Sequence, residues 1–330
     1  MQFQLPIQIK SPEARISYRD KIMLTGSCFT EHIGNTLSEL KFSVLQNPHG
    51  IMFDPASVCR SLVSYIQPKI YEDKDLFQLN EIWHSWDHHS RFSNLDPHQA
   101  LQHINNSQQR AHDFLKKADW LVITLGSSFS YKLSDEGHGP TGNMVANCHR
   151  APAQWFKKHL METTDTVSRL EHCISQLLQF NPSLKIIFTV SPVRHIRDGV
   201  VENNRSKARL IEAVHTVVNA HEEAWYFPAY ELVVDVLRDY RFYDIDMVHP
   251  NYAATSFVLD KFIENCIAPD TRALMQEVRQ IVIARKHRAF QPGTKAHQQF
   301  LSAHFEKAGE LMKKYPYLDL KEELIYFSET

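Results

Sequence analysis

Ser27, Asp246 and His249 are the residues whose side chains complement one another chemically. A serine hydroxyl is a weak nucleophile until a base within hydrogen-bond reach takes its proton and a third group orients that base. His249 has the chemistry of the base. Asp246, three residues earlier, can accept from the other ring nitrogen, and Asp-x-x-His is compact enough for one loop to present both groups. The bland reading is that a serine after glycine is a turn or a cap and that Asp-x-x-His arises by chance. Placement shifts the balance. Ser27 follows the apolar run Ile22-Met23-Leu24 and Gly26, and a helix-like segment starts at Glu31. Strand, glycine turn, serine and helix put a hydroxyl at the carboxyl end of a strand, beside a helix N-terminus whose free N–H groups can stabilise an oxyanion.

The elements that must hold these residues follow from periodicity. Short apolar runs at 21–24, 42–45, 120–125, 185–190 and 225–227 read as strands, and most end in small or polar residues. Amphipathic helices are expected at 31–40, from Asp54-Pro55 onward, and at 98–117, 165–180, 203–223, 230–237 and 252–267. Asp54 suits an N-cap and Pro55 a first helical position. Continuous strands separated by helices predict an α/β protein with a mostly parallel sheet covered on both faces, where function collects at the carboxyl ends of the strands. Inserted loops are expected near 67–99 and 130–160, because a long aperiodic stretch inside a compact domain is functional or an inserted lobe. Residues 269–330 read as a helical C-terminal extension, broken at Gln291-Pro292-Gly293.

Composition narrows the function classes. The chain has 330 residues, 43% hydrophobic and 22% charged, with a formal net charge of −2. That is ample for a buried core, and neither a basic nor an acidic excess points to nucleic acid or to a solvating tail. Met1-Gln2-Phe3-Gln4-Leu5-Pro6 lacks the basic start and apolar run of a signal peptide, and no stretch approaches eighteen apolar residues. A cytoplasmic protein without a membrane partner is expected. Five widely spaced cysteines without a CxxC argue against a disulfide framework or zinc ribbon.

Other residues compete for roles. Cys28 adjoins Ser27 and is intrinsically more nucleophilic, but adjacent side chains point apart and small buried cysteines are common. His84, Asp87, His88 and His89 are metal-ligand types without a defined spacing, so a pocket-lining loop is preferred and no metal or other cofactor is expected. Trp83, Trp86 and Phe92 either stack on a sugar or acyl group or pack the insertion. Arg194 and His195 follow the fourth strand, where they either meet an anionic substrate or make a structural link. The basic run Arg285-Lys286-His287-Arg288 reads as a solvated helix face.

Gly26-Ser27-Cys28-Phe29-Thr30 resembles the motif that names the GSCFA family, with Thr30 at the final alanine. Asn47-Pro48-His49-Gly50-Ile51-Met52-Phe53-Asp54-Pro55, Thr124-Leu125-Gly126-Ser127-Ser128, Asn147-Cys148-His149, Thr189-Val190-Ser191-Pro192-Val193-Arg194-His195 and Asp246-Met247-Val248-His249-Pro250 resemble family blocks in order, over roughly residues 15–268. This family is grouped with the SGNH, or GDSL-like, hydrolases. The resemblance implies a flavodoxin-like three-layer α/β/α domain with a five-stranded sheet over residues 1–268. It makes Ser27 the nucleophile, His249 the base and Asp246 its partner. It implies an oxyanion hole from the N–H groups of Ser27 and Gly50. The superfamily's third donor is an asparagine in Gly-x-Asn-Asp. Here Ser128 stands at that position, and Asn147, in the next block, is preferred to it. His49, Trp83, His84, His149, Arg194 and His195 are the candidate substrate contacts. The expected function is a serine esterase acting on a small ester, such as an O-acetyl group on a carbohydrate. An O-acyltransferase with the same residues and a non-catalytic carbohydrate-binding protein are the alternatives.

Overall fold

The computed structural model describes residues 5–287 and 290–328. Part of the N-terminal stretch read for a leader (1–4) and Arg288 of the basic run lie outside the described residues. Five parallel strands form the central sheet: β1 (Lys21–Gly26), β2 (Ser43–Gln46), β3 (Trp120–Leu125), β4 (Lys185–Val190) and β5 (Ala224–Tyr226). Their spatial order is β5-β4-β3-β1-β2. This is the doubly wound order whose crossovers place the loops after β1 and β3 side by side.

The two faces follow from strand alternation. Ile22 and Leu24 of β1, Trp120 and Val122 of β3 and Ile187 of β4 pack with α1 (Cys28–Glu39). Met23, Leu121, Ile123, Ile186 and Phe188 point to the other face, against α2 (Pro55–Ile66), α4 (Thr163–Phe180) and α5 (Val200–Ala220). Between α2 and α4, α3 (Pro97–Leu115) precedes β3. Two starts behave as expected: the Asp54 carboxylate accepts from the Ser57 N–H at 3.0 Å to cap α2, with Pro55 at its first position. Asn251 likewise caps α6 (Tyr252–Cys266), accepting from Ala254 N–H.

The two insertions carry structure that periodicity did not reveal. Phe77–Leu79 and Ile82–His84 pair as an antiparallel hairpin. Phe129–Leu133 pairs antiparallel with Met144–Val145 and Phe156–Leu160 in a separate three-stranded sheet. These strands are too short, and too polar on their exposed sides, to register as apolar runs.

The C-terminal helices α7 (Pro269–Lys286), α8 (Lys295–Lys314) and α9 (Lys321–Ser328) are not a separate body. Met275, Val278, Ile281, Leu301, Leu311 and Phe327 belong to the same buried cluster as Leu24, Phe29 and Ile33. Buried Glu323 ties them down further, pairing with Lys41 at 2.8 Å and with Arg285 at 3.0 Å. No helix among the described residues is long and apolar enough to cross a membrane.

Candidate active site

Gly26 closes β1 at φ +137°, a conformation glycine tolerates and other residues do not. A Cβ there would lie 2.1 Å from the Thr124 carbonyl oxygen of β3. The glycine therefore permits both the turn and the close approach of the two central strands. Ser27 follows as the N-cap of α1. Its hydroxyl makes no capping bond and is buried without a hydrogen-bond partner among the described residues. An N-cap serine ordinarily spends its hydroxyl on the helix; this one does not.

The Asp246–His249 loop is tied together by hydrogen bonds. His249 Nδ1 meets Asp246 Oδ2 at 2.6 Å, and Asp246 Oδ1 accepts from the backbone N–H groups of Val248 (2.9 Å) and His249 (3.0 Å). Those bonds, the His249 side chain first, hold the Asp246 carboxyl down at about 2. Asp244 N–H donates to the His249 carbonyl at 2.8 Å, closing the turn. Arg194 braces it from the loop after β4. Its backbone N–H donates to Val248 O, its guanidinium to Met247 O, and that guanidinium lies 4.2 Å from the Tyr243 ring centroid. Arg194 is thus occupied as a brace on the loop.

Ser27, Cys28, Arg194, His195 and His249 all line one cavity of about 490 Å³. Ile51, Phe53, Phe129, Tyr131 and Val193 make its wall largely apolar. Lys158, 3.9 Å over the Phe129 ring, pairs with Asp198 at its rim. Cys28 shares the cavity, but burial pushes its thiol up, which disfavours the thiolate that nucleophilic cysteines need. His195 is held by its own backbone N–H, which donates to Asn203 Oδ1 at 2.8 Å. Its Nε2 is buried without a partner among the described residues, and burial pulls the imidazole down to about 3.

The expected oxyanion donors are engaged elsewhere. Ser27 N–H donates to Thr124 O at 3.1 Å, and Gly50 N–H donates to Asn47 O at 2.7 Å. Gly50 serves a tight turn at φ +86°, packed so closely that a Cβ would meet His89 Cβ at 2.1 Å. Ser128 turns away toward α5: its N–H donates to Ser206 Oγ and its hydroxyl to Ser206 O. Asn147 lies in a neighbouring depression with Cys148 and His149, its Oδ1 accepting from His149 N–H at 2.8 Å.

The other candidate substrate contacts also stand apart from Ser27. Buried His49 bonds Tyr65 at 2.6 Å and stacks on His88. His84 bonds Ser93, and His149 lies between Ser85 O and Ser90. Trp83 and Trp86 line a different depression with Arg60, Lys69 and Asp87. Most of the histidine cluster is satisfied core. Among the described residues no group of three or more His, Cys, Asp or Glu is placed to hold a metal.

One buried charge escaped the sequence reading. Lys207 of α5 is buried, and its Nζ donates to Gly126 O (2.5 Å) and Ser191 O (2.6 Å), joining the ends of β3 and β4 beneath the cavity. Burial pulls it down to about 7. Its signal was a lysine in register with Asn203, Leu210 and Val214 on the apolar stripe of α5.

Residues 21–262 match the model of the GSCFA family, and residues 278–330 match that of the GSCFA domain protein, C-terminal domain. The chain belongs to the GSCFA family. The extension, which the sequence resemblance left out, is thus itself matched by a GSCFA model. No curated protein matches this GSCFA chain. Among solved structures it is similar to a protein from Streptococcus pneumonia assigned as a platelet activating factor (12% identity, 74% of this chain and 82% of that one, TM-score 0.38). It is also similar to an acetyl esterase mutant with acetate ion (10% identity, 79% and 99%, TM-score 0.36). A third is a carbohydrate esterase family 3 protein from Talaromyces cellulolyticus (9% identity, 79% and 99%, TM-score 0.35).

Proposed function

We propose that this GSCFA protein is a serine hydrolase of small esters, with Ser27 as nucleophile, His249 as base and Asp246 as the group that orients the base. The carrying observation is that the uncommitted, buried Ser27 hydroxyl and the Asp246-bound His249 imidazole line one cavity. Ser27 Oγ bonds to the ester carbonyl carbon while His249 Nε2 takes its proton. The tetrahedral adduct collapses, the ester C–O bond breaks, and His249 returns the proton to the leaving alcohol. A water molecule, its proton taken by His249, then attacks the acyl carbon; as the acyl–Oγ bond breaks, His249 gives that proton to Ser27 Oγ, and the acid leaves. The asparagine-free third block leaves the nucleophile and the base in place; the oxyanion must find its donor elsewhere.

The cavity's largely apolar wall suits the acyl half of an ester. A carbohydrate alcohol rests on the loop tryptophans alone, and these line another depression. The acyl group is therefore the better supported half of the substrate.

The test is a panel of aryl and sugar acetates on wild type, Ser27→Ala and His249→Ala, with fluorophosphonate labelling in parallel. Ester turnover lost in Ser27→Ala and an adduct on the Ser27 peptide are expected. Undiminished turnover in Ser27→Ala sinks the assignment.

A further inference from the structure

With Ser27 as nucleophile, the transition state needs donors for a developing oxyanion, and the four groups expected to supply them are committed or distant. Ser27 N–H and Gly50 N–H point at backbone carbonyls, Ser128 points at Ser206, and Asn147 lines another depression. What the cavity does hold is a second imidazole. Gly126 shows how close it is: a Cβ on that glycine would lie 3.1 Å from His195 Nε2 and 3.5 Å from Ser27 Cβ. The two side chains are neighbours across a single glycine. Ser27 Oγ and His195 Nε2 are both buried polar atoms without a partner among the described residues. A buried unpaired polar atom is costly, and in native proteins it calls for an explanation such as a catalytic role.

We propose that His195 is a catalytic residue that donates its Nε2–H to the oxyanion formed when Ser27 attacks an ester carbonyl. The proposal rests on the Ser27 nucleophile reading. It divides the two imidazoles of the cavity by task. His249, oriented by Asp246, moves the proton; among the described residues no carboxylate pairs with His195, which serves as a neutral donor. Lys207, Lys158 and His249 act against a charge on His195, Phe53 packs on its ring with centroids 4.9 Å apart, and Arg197 and Asp198 line the same cavity. Burial and these neighbours keep the ring neutral, which makes it a poor base but leaves its N–H intact. An uncharged imidazole can polarise a carbonyl without giving up its proton. The Asn203 Oδ1 bond to its backbone and the Phe53 contact fix the ring before substrate arrives, so little reorganisation is required in the transition state.

The test uses 4-nitrophenyl acetate and a fluorophosphonate on the full chain, comparing wild type with His195→Ala, His195→Gln and Ser27→Ala. His195→Ala is expected to lower kcat by about 10²–10³-fold with KM little changed. His195→Gln, which keeps an N–H donor, is expected to recover at least about tenfold of that loss, and both keep the wild-type pH profile. In wild type labelled with ¹⁵N-histidine, a trifluoromethyl ketone adduct on Ser27 is expected to bring two histidine Nε2–H resonances downfield, that of His249, which has taken the serine proton, and that of His195; a single shifted resonance counts against the proposal. That readout does not depend on a variant folding. His195→Ala within about threefold of wild type (well under the oxyanion-donor range) overturns the proposal while leaving Ser27 as nucleophile. So does loss of the acid limb of the pH profile in His195→Gln, which would make His195 the base. Wild type that neither turns over the ester nor labels at Ser27 overturns the nucleophile reading itself, and the proposal with it.

Discussion

His249 Nδ1 lies 2.6 Å from Asp246 Oδ2, and the other oxygen of the same carboxylate takes the N–H groups of Val248 and His249. One carboxylate therefore sets both the imidazole tautomer and the path of the loop that carries it. Because its pKa sits at about 2, it stays charged throughout the range where an imidazole works as a base. Asp246→Asn replaces an acceptor by a group that can donate and favours the wrong tautomer. The expected result is a fall in kcat of roughly 10²–10⁴ with KM nearly unchanged, measured with a short aryl ester. A variant within a few-fold of wild type removes Asp246 from the mechanism.

Gly26 is expected to be intolerant of any side chain. Alanine there would place Cβ 2.1 Å from Thr124 O, at a φ of +137°, and the obstacle is backbone of a central strand that cannot swing aside. Strain and clash act together, so Gly26→Ala should cost at least about 3 kcal/mol or abolish folding. Urea unfolding followed by tryptophan fluorescence measures this, and a loss under about 1 kcal/mol contradicts the close approach of β1 and β3.

The sequence made the sheet legible because its strands are buried on both faces: Trp120–Leu125 is fully buried and reads as an unbroken apolar run. It made Ser27, Asp246 and His249 legible because each sits at a strand end or just before a helix. Which groups are placed to serve as oxyanion donors was not legible. Whether an N–H points into a cavity or at a carbonyl depends on the turn it belongs to, and Gly50 looks the same in both cases. The candidate histidines outside the cavity were obscured for a related reason: His49, His88 and His149 have polar partners or stacked rings inside the core, which residue type alone does not disclose. Lys207 shows the converse, a charge hidden on an apolar stripe.

Removal of residues 269–330 is expected to unfold the remainder rather than leave a working domain. Met275, Val278, Ile281, Leu301, Leu311 and Phe327 share a buried cluster with the layer that carries α1. Each such side chain is worth about 1.5–3 kcal/mol of burial, and a whole domain is stable by only about 5–15 kcal/mol. Stripping several contacts from α1 exceeds that margin and also loosens the helix that Ser27 caps. A fragment 1–268 that is monomeric with a cooperative thermal transition near that of the full chain refutes a shared core.

Lys207 should write itself into the pH dependence of stability. Its pKa falls from an ordinary 10.5 to about 7 through burial. Between those values the unfolded chain holds a proton on this lysine that the folded chain has released. Stability therefore rises with pH across that window, by about 1.4 kcal/mol per unit. Below pH 7 both states are protonated and the slope from this group disappears. Cysteine and tyrosine pKa values raised by burial act in the opposite direction above about pH 9, since Cys148 is pushed up to about 11. The clean window is pH 7.5–9, where about 2 kcal/mol is expected from Lys207 alone. Lys207→Met leaves the Gly126 and Ser191 carbonyls without this donor, so its absolute stability shifts as well; the informative quantity is the slope. Wild type minus variant, by urea unfolding at each pH, should rise by that amount from pH 7.5 to 9. Parallel curves for the two proteins mean that the amine stays protonated in place, held by the two carbonyls against the cost of burial.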